Sequence, residues 1–186
     1  MPFGPGCAWL ALPATDAGRL AEQLRLRTVL PANWRAGLTE TERQGVFVAP
    51  PCGGVTFAVG PDLRPGVVRR VEELAELVTQ LSTEHGRAAW FVVDDDAEVY
   101  GWMLAERGEL RRGYAFVGEH GPVYWEGEPT AAEHDLGCYV DDPRDRSEDE
   151  IRWWPDARIA LAIAERWGVD PRRLAGTSGC GVVGRL

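Results

Sequence analysis

The sequence contains no lysine: all 20 of its basic residues are arginine, set against 29 aspartates and glutamates. That absence removes Schiff-base chemistry, a lysine general base and the lysine of a phosphate-binding loop from the mechanisms open to the chain. Cysteine is sparse and scattered. Cys7, Cys52, Cys138 and Cys180 stand too far apart for a metal knuckle or a Cys-x-x-Cys redox pair, so buried free thiols are expected. The histidines, His85, His120 and His134, fall into neither HExxH nor HxH spacing. No apolar run approaches the roughly 18 residues that span a bilayer. The first residues lack a basic n-region, and Pro13 interrupts the apolar stretch from Ala8 to Leu12; with no signal core, a cytoplasmic location is the expectation.

What is present suits one globular domain. At 186 residues and 45% hydrophobic content, the chain can bury a core without the help of a metal or a disulfide. Its net charge of -9 repels nucleic-acid backbones and anionic membranes and attracts a basic protein, so no nucleic acid and no membrane are expected as partners.

Patterning gives the elements. A strand is predicted over 7–12, followed by a helix whose apolar positions Ala17, Leu20, Ala21 and Leu24 recur at helical spacing behind the capping oxygens of Thr15 and Asp16. Residues 31–34 and 39–44 read as loop. Strands 46–48 and 55–59 flank the turn Pro50-Pro51-Cys52-Gly53-Gly54. Val71, Leu74, Val78 and Leu81 mark a helix over 67–84, and an almost wholly apolar strand follows at 88–93. After the turn Asp94-Asp95-Asp96, runs at 98–105, 110–117 and 122–126 have the spacing of a β-meander. Thr130 and Glu133 form a capping box for a short helix ended by Gly137, and Ser147 with Glu150 repeats the pattern ahead of 148–154, where Pro155 kinks or restarts the helix. Ile159, Ile163 and Trp167 continue as an apolar stripe to Gly168, and Asp170-Pro171 caps a last turn. The expected architecture is α+β: a largely antiparallel sheet of about six strands with helices on one face or end. Residues 1–174 form the domain, and the glycine-rich 175–186 is expected to be a loose tail.

Catalytic signatures are incomplete. Gly179-Cys180-Gly181-Val182-Val183-Gly184 has G-x-G-x-x-G spacing, but only two residues follow it, too few for the helix that would meet a pyrophosphate, so no cofactor is expected. Gly176-Thr177-Ser178-Gly179-Cys180 falls one glycine short of a nucleophile elbow and has no downstream histidine. The aspartate triplet lacks the glycine and terminal glutamate of a calcium loop and reads as a turn. The competing enzymatic reading is a small hydrolase or nuclease using His134 or His120 with Glu119, Glu133 or Asp135. No nucleophile, base and orienter set is complete around either ring, so no catalytic residue and no metal ligand is assigned.

Charge is more informative. Between Glu126 and Ile151 ten carboxylates face only Arg144 and Arg146, so this segment carries -8 (10 minus 2) of the chain's -9. Trp153 and Trp154 lie at its end. Aromatics set in a rim of carboxylates are the ingredients of a hot spot for an Arg- or Lys-rich partner. Asp141, Asp142, Asp145, Glu148, Asp149, Glu150, Trp153 and Trp154 are therefore the expected partner-binding residues.

The run Phe47-Val48-Ala49-Pro50-Pro51-Cys52-Gly53-Gly54-Val55, preceded by Pro31-Ala32-Asn33-Trp34 and followed by Pro129-Thr130-Ala131-Ala132-Glu133 and Trp167-Gly168-Val169-Asp170-Pro171, resembles small bacterial proteins, some of which look like immunity proteins of toxin systems. The resemblance covers nearly the whole chain, and its motifs are structural. It implies a protein that binds and blocks another protein, here a basic partner such as a toxin, and it transfers no active site.

Overall fold

The structure is a computed structural model that describes residues 6–66, 70–138, 154–174 and 179–186. Its strands are β1 (Cys7–Pro13), β2 (Arg27–Asn33), β3 (Val46–Val48), β4 (Val55–Val59), β5 (Arg87–Asp94), β6 (Val99–Glu106), β7 (Glu109–Val117), β8 (Gly121–Glu126) and β9 (Cys180–Arg185). All pair antiparallel in one sheet of order β2-β9-β3-β4-β1-β5-β6-β7-β8. The helices are α1 (Ala17–Gln23), α2 (Trp34–Glu40), α3 (Val71–His85), α4 (Ala131–Asp135) and α5 (Ala157–Arg166). None is long and apolar enough to cross a membrane.

The α+β reading and the β6-β7-β8 meander hold, but the sheet has nine strands, not six, and its helices lie on both faces. The reason lies in the central strands. In β1, Trp9 and Ala11 point to one face while Ala8, Leu10 and Leu12 point to the other; in β5, Phe91 and Val93 oppose Trp90 and Val92 in the same way. A strand that is apolar in both alternations must be covered twice. Leu74, Val78 and Leu81 of α3, with Leu20 and Ala21 of α1, cover the aliphatic side. Ala160, Ile163 and Ala164 of α5, with Ala132 of α4, cover an aromatic side that holds Trp9, Phe91, Trp102, Tyr114 and Phe116. Trp9 stacks on Phe91 at 5.0 Å between ring centroids, and its Nε1 donates to the Val169 carbonyl at 3.3 Å, which ties the chain beyond α5 to the sheet.

The two strands absent from the sequence reading are β2 and β9. Arg27–Asn33 is almost entirely exposed, so it carries no burial alternation to announce it. The glycine-rich end is not a loose tail: Cys180–Arg185 inserts between β2 and β3. Its glycines serve close packing, since a Cβ on Gly181 would collide with the Val48 carbonyl oxygen. Both margins of the sheet are blunted. β2 contains Pro31 and an irregular register between Arg27 and Leu30, and β8 contains Pro122 beside an irregularity between Ala115 and Phe116. Each proline lacks the N–H that a strand-on-strand contact would use.

Capping places α4 as the sequence predicts, whereas the cap of α5, Asp156, has no counterpart in the sequence reading. Glu133 Oε2 accepts from Thr130 N at 2.8 Å, Gly137 takes φ +67°, and Asp156 Oδ1 accepts from Ile159 N at 2.9 Å. Helix α5 therefore starts from an Asp156 cap after Pro155. The second capping box, Ser147 and Glu150, lies outside the described residues.

Candidate functional site

Period-two alternation along β7 points Arg112, Tyr114 and Phe116 to the aromatic face, while Arg111 turns outward to Glu109 at 2.7 Å. Arg112 is fully buried, and so is Glu133 of α4; the two meet at 2.9 Å between Nε and Oε1. Glu133 is saturated. Its Oε1 accepts from Arg112 Nε and from Trp102 Nε1, and its Oε2 accepts from the backbone N and the hydroxyl of Thr130. Arg112 Nη1 donates to the carbonyls of Glu126 at 3.3 Å and Gly127 at 3.1 Å, and its Cζ lies 4.0 Å from the Trp125 ring centroid. The guanidinium thus ties β7 and the end of β8 to α4, with an aromatic face supplying part of the solvation that water would give. This constellation is a structural clamp. Glu133, counted in the sequence among the acidic run, contributes nothing to an exposed acidic face.

A second group lies toward the opposite end of the meander, around Trp154. Its indole is 49% exposed and meets Phe116 edge-on at 5.1 Å. Phe116 is the cross-strand partner of Tyr100, whose hydroxyl donates to Asp95 Oδ1 at 2.9 Å. Tyr100 is pushed well above the ordinary tyrosine value by burial, then by its hydrogen bond to Asp95 and by the charges of Asp95, Glu98 and Asp156. Of these carboxylates Asp95 is in contact with the hydroxyl, and Asp95 and Glu98 both lie on the exposed turn between β5 and β6. Burial opposes charge on Asp156, but the Ile159 N–H and the Arg158 guanidinium outweigh it and hold the carboxyl below its ordinary value. The neighbouring Asp94 is withdrawn from this surface: it is buried and paired with Arg64 at 2.8 Å, and its Oδ1 accepts from Ala97 N at 3.1 Å. The aspartate triplet is thus divided: Asp94 closes β5, and Asp95 and Asp96 begin the turn that the sequence suggests.

Of the residues expected to bind a partner, Trp154 occupies this half-exposed position. Asp141, Asp142, Asp145, Glu148, Asp149, Glu150 and Trp153 lie outside the described residues. Sequence reading missed the link from Trp154 to Asp95, because it runs through the Tyr100-Phe116 cross-strand pair that exists only in the folded meander. Arg112 was missed as well; the signal that could have found it is its period-two spacing from Tyr114 and Phe116 on one face of β7.

The histidines are dispersed. His134 and His120 are exposed, and the Glu133 beside His134 turns inward to Arg112, while His85 Nε2 lies 2.9 Å from Gln23 Oε1. Among the described residues no three His, Cys, Asp or Glu side chains gather as a metal site. The G-x-G-x-x-G glycines lie in or next to strand β9, which is paired on both sides by β2 and β3, so the motif is part of a strand and does not turn into a helix as a pyrophosphate-binding loop does.

The thiols divide by burial. Burial pushes Cys7 up to about 12, slightly opposed by Arg64, and it raises Cys138 to about 11 with help from the Glu133 charge. Cys180 is exposed. Because the thiolate is the reacting species, a thiol-specific chromogenic reagent at pH 8 is expected to label Cys180 first and to reach Cys7 and Cys138 only on unfolding. Labelling of Cys7 in the folded protein at the rate of Cys180 would contradict this assignment.

The chain matches no protein-family model, no curated protein and no solved structure.

Proposed function

We propose that this chain is a non-catalytic protein-binding module that captures a basic partner protein, in the manner of an immunity protein that neutralises a toxin. The observation that carries the reading is a half-exposed Trp154 set against Phe116, whose cross-strand partner Tyr100 donates to the exposed Asp95. An indole whose edge is held by Phe116 is a rigid apolar anchor, and exposed carboxylates favour Arg or Lys from a partner. The acidic residues from Asp141 to Glu150 precede this tryptophan in the chain and extend the same charge preference. With Glu133 saturated by Arg112, Trp102 and Thr130, one of the two carboxylates flanking His134 serves the fold, and the other, Asp135, lies exposed on the short helix.

Charge and anchor act on different rates. Neutralising Asp95, Glu98, Asp141, Asp142, Asp149 and Glu150 is expected to slow association with a basic partner and to flatten its salt dependence, because exposed charges steer encounter and are screened by ions. Trp154→Ala is expected to act on dissociation, at a cost on the order of 2 kcal/mol for a true hot spot. Surface-based kinetics at two salt concentrations, with a partner recovered from the native host by pull-down, measure both. Affinity and salt dependence that survive both sets of substitutions would remove the docking role from this face.

A further inference from the structure

The margin of the sheet farthest from β8 carries a surface of the contrary charge. Between the β2-β9 ladder and the residues that close α2 runs a groove of about 280 Å³ lined by Thr28, Leu30, Glu40, Gln44, Val183 and Arg185. Leu30 and Val183 are direct cross-strand partners and form its apolar floor. Leu30 is 58% exposed, the highest value among the large apolar side chains described. Arg185 on the rim stands opposite Arg27 across the same ladder, and Arg25 precedes it by two residues. All three arginines are exposed. Like charges directly opposite one another on neighbouring strands repel.

Some exposed arginines have acidic partners: Arg19 meets Glu84, Arg111 meets Glu109, Arg158 meets Asp156 and Arg172 meets Asp170, whereas Arg35, Arg43, Arg107 and Arg166 stand singly with no ion pair among the described residues. Among the described residues no ion pair involves Arg25, Arg27 or Arg185. What sets this margin apart is that two of its unpaired arginines, Arg27 and Arg185, face each other directly across one ladder, with Arg185 lining the groove beside the Leu30-Val183 floor and Arg25 close by in the chain. Glu40 is the one carboxylate that lines the groove. Two further features limit the mode of contact. Pro31 and the irregular register of β2 spoil the edge as a template for an added strand, so recognition must come from side chains across the face. A volume near 280 Å³ falls just below the roughly 300–1,000 Å³ of pockets that enclose whole small ligands, and suits one or two side chains of a larger partner.

We propose that this groove docks an acidic extended segment of a second protein, with one aliphatic side chain seated on Leu30 and Val183 and its carboxylates facing Arg25, Arg27 and Arg185. The surface is separate from the one around Trp154 and binds a partner of opposite charge, so either can fail alone.

The test uses the full chain and a fluorescein-labelled peptide of eight residues, glutamates around a central leucine, with the glutamine counterpart as the comparison, read by fluorescence anisotropy. The acidic peptide is expected to bind about tenfold or more tighter than the glutamine peptide. Leu30→Asp, and separately Arg27→Glu with Arg185→Glu, should each weaken it by at least about that factor, while Trp154→Ala leaves it unchanged. These positions are exposed, and an unaltered melting curve confirms that the variants fold. Absence of saturable binding, binding indifferent to Leu30→Asp, or binding lost with Trp154→Ala would each overturn the proposal. A dimer seen by light scattering and dissolved by Leu30→Asp would assign the groove to a second copy of the chain and overturn it as well.

Discussion

Glu133→Ala is expected to lower stability by about 3 to 5 kcal/mol, the range for breaking a buried ion pair by removing one partner. Four hydrogen bonds end on this carboxylate, from Arg112, Trp102 and twice from Thr130. Its removal leaves the Arg112 guanidinium, fully enclosed, without its counter-charge and uncaps α4 in the same step. Since domains of this size have roughly 5 to 15 kcal/mol of stability, the variant should melt far below the parent or fail to fold at 37 °C. Two further substitutions separate charge from capping. Glu133→Gln keeps an acceptor for the Thr130 N–H and should retain part of the loss, whereas the pair Arg112→Met with Glu133→Leu removes both charges and should recover much of the stability. Urea titration of the three variants measures the order. A loss under about 1 kcal/mol for Glu133→Ala, the scale of an exposed pair, would show that the clamp contributes little.

Ending the chain at Ser178 should abolish cooperative folding. The missing strand β9 holds β2 on one side and β3 on the other, so its loss deprives β2 of its only ladder and bares one edge of β3. Val46, Phe47 and Val48 of β3 are fully buried, and exposure of that edge would invite aggregation. Circular dichroism and a thermal melt decide the matter: a truncated chain that unfolds cooperatively within about 5 °C of the parent, a shift of order 1 kcal/mol, would reduce β9 to an ornament of the edge. The point substitution Gly181→Ala tests the same strand without truncation. Its methyl would press on the Val48 carbonyl and the Phe47 ring, and overpacking of this kind costs about 1 to 3 kcal/mol.

Much of the architecture was already present in local chemistry. Alternation and turn residues specify the β6-β7-β8 meander, helical spacing specifies α3, and the Thr130-Glu133 box specifies where α4 begins. These features are decided within a few residues of chain, so sequence alone carries them. Composition likewise determined the charge class: the chain has no lysine and a net charge of -9, which removes lysine chemistry. What needed the tertiary structure was every feature built from distant segments. Exposed Arg27–Asn33 and glycine-rich Cys180–Arg185 have little strand signal of their own, because one lies at an edge and the other is selected for close approach to Val48. They become strands only by pairing with each other and with β3. The same reason separates Glu133 from the other acids around it. Its helix-cap role is local, whereas its partnership with Arg112, 21 residues away, exists only once α4 rests on the aromatic face of the sheet.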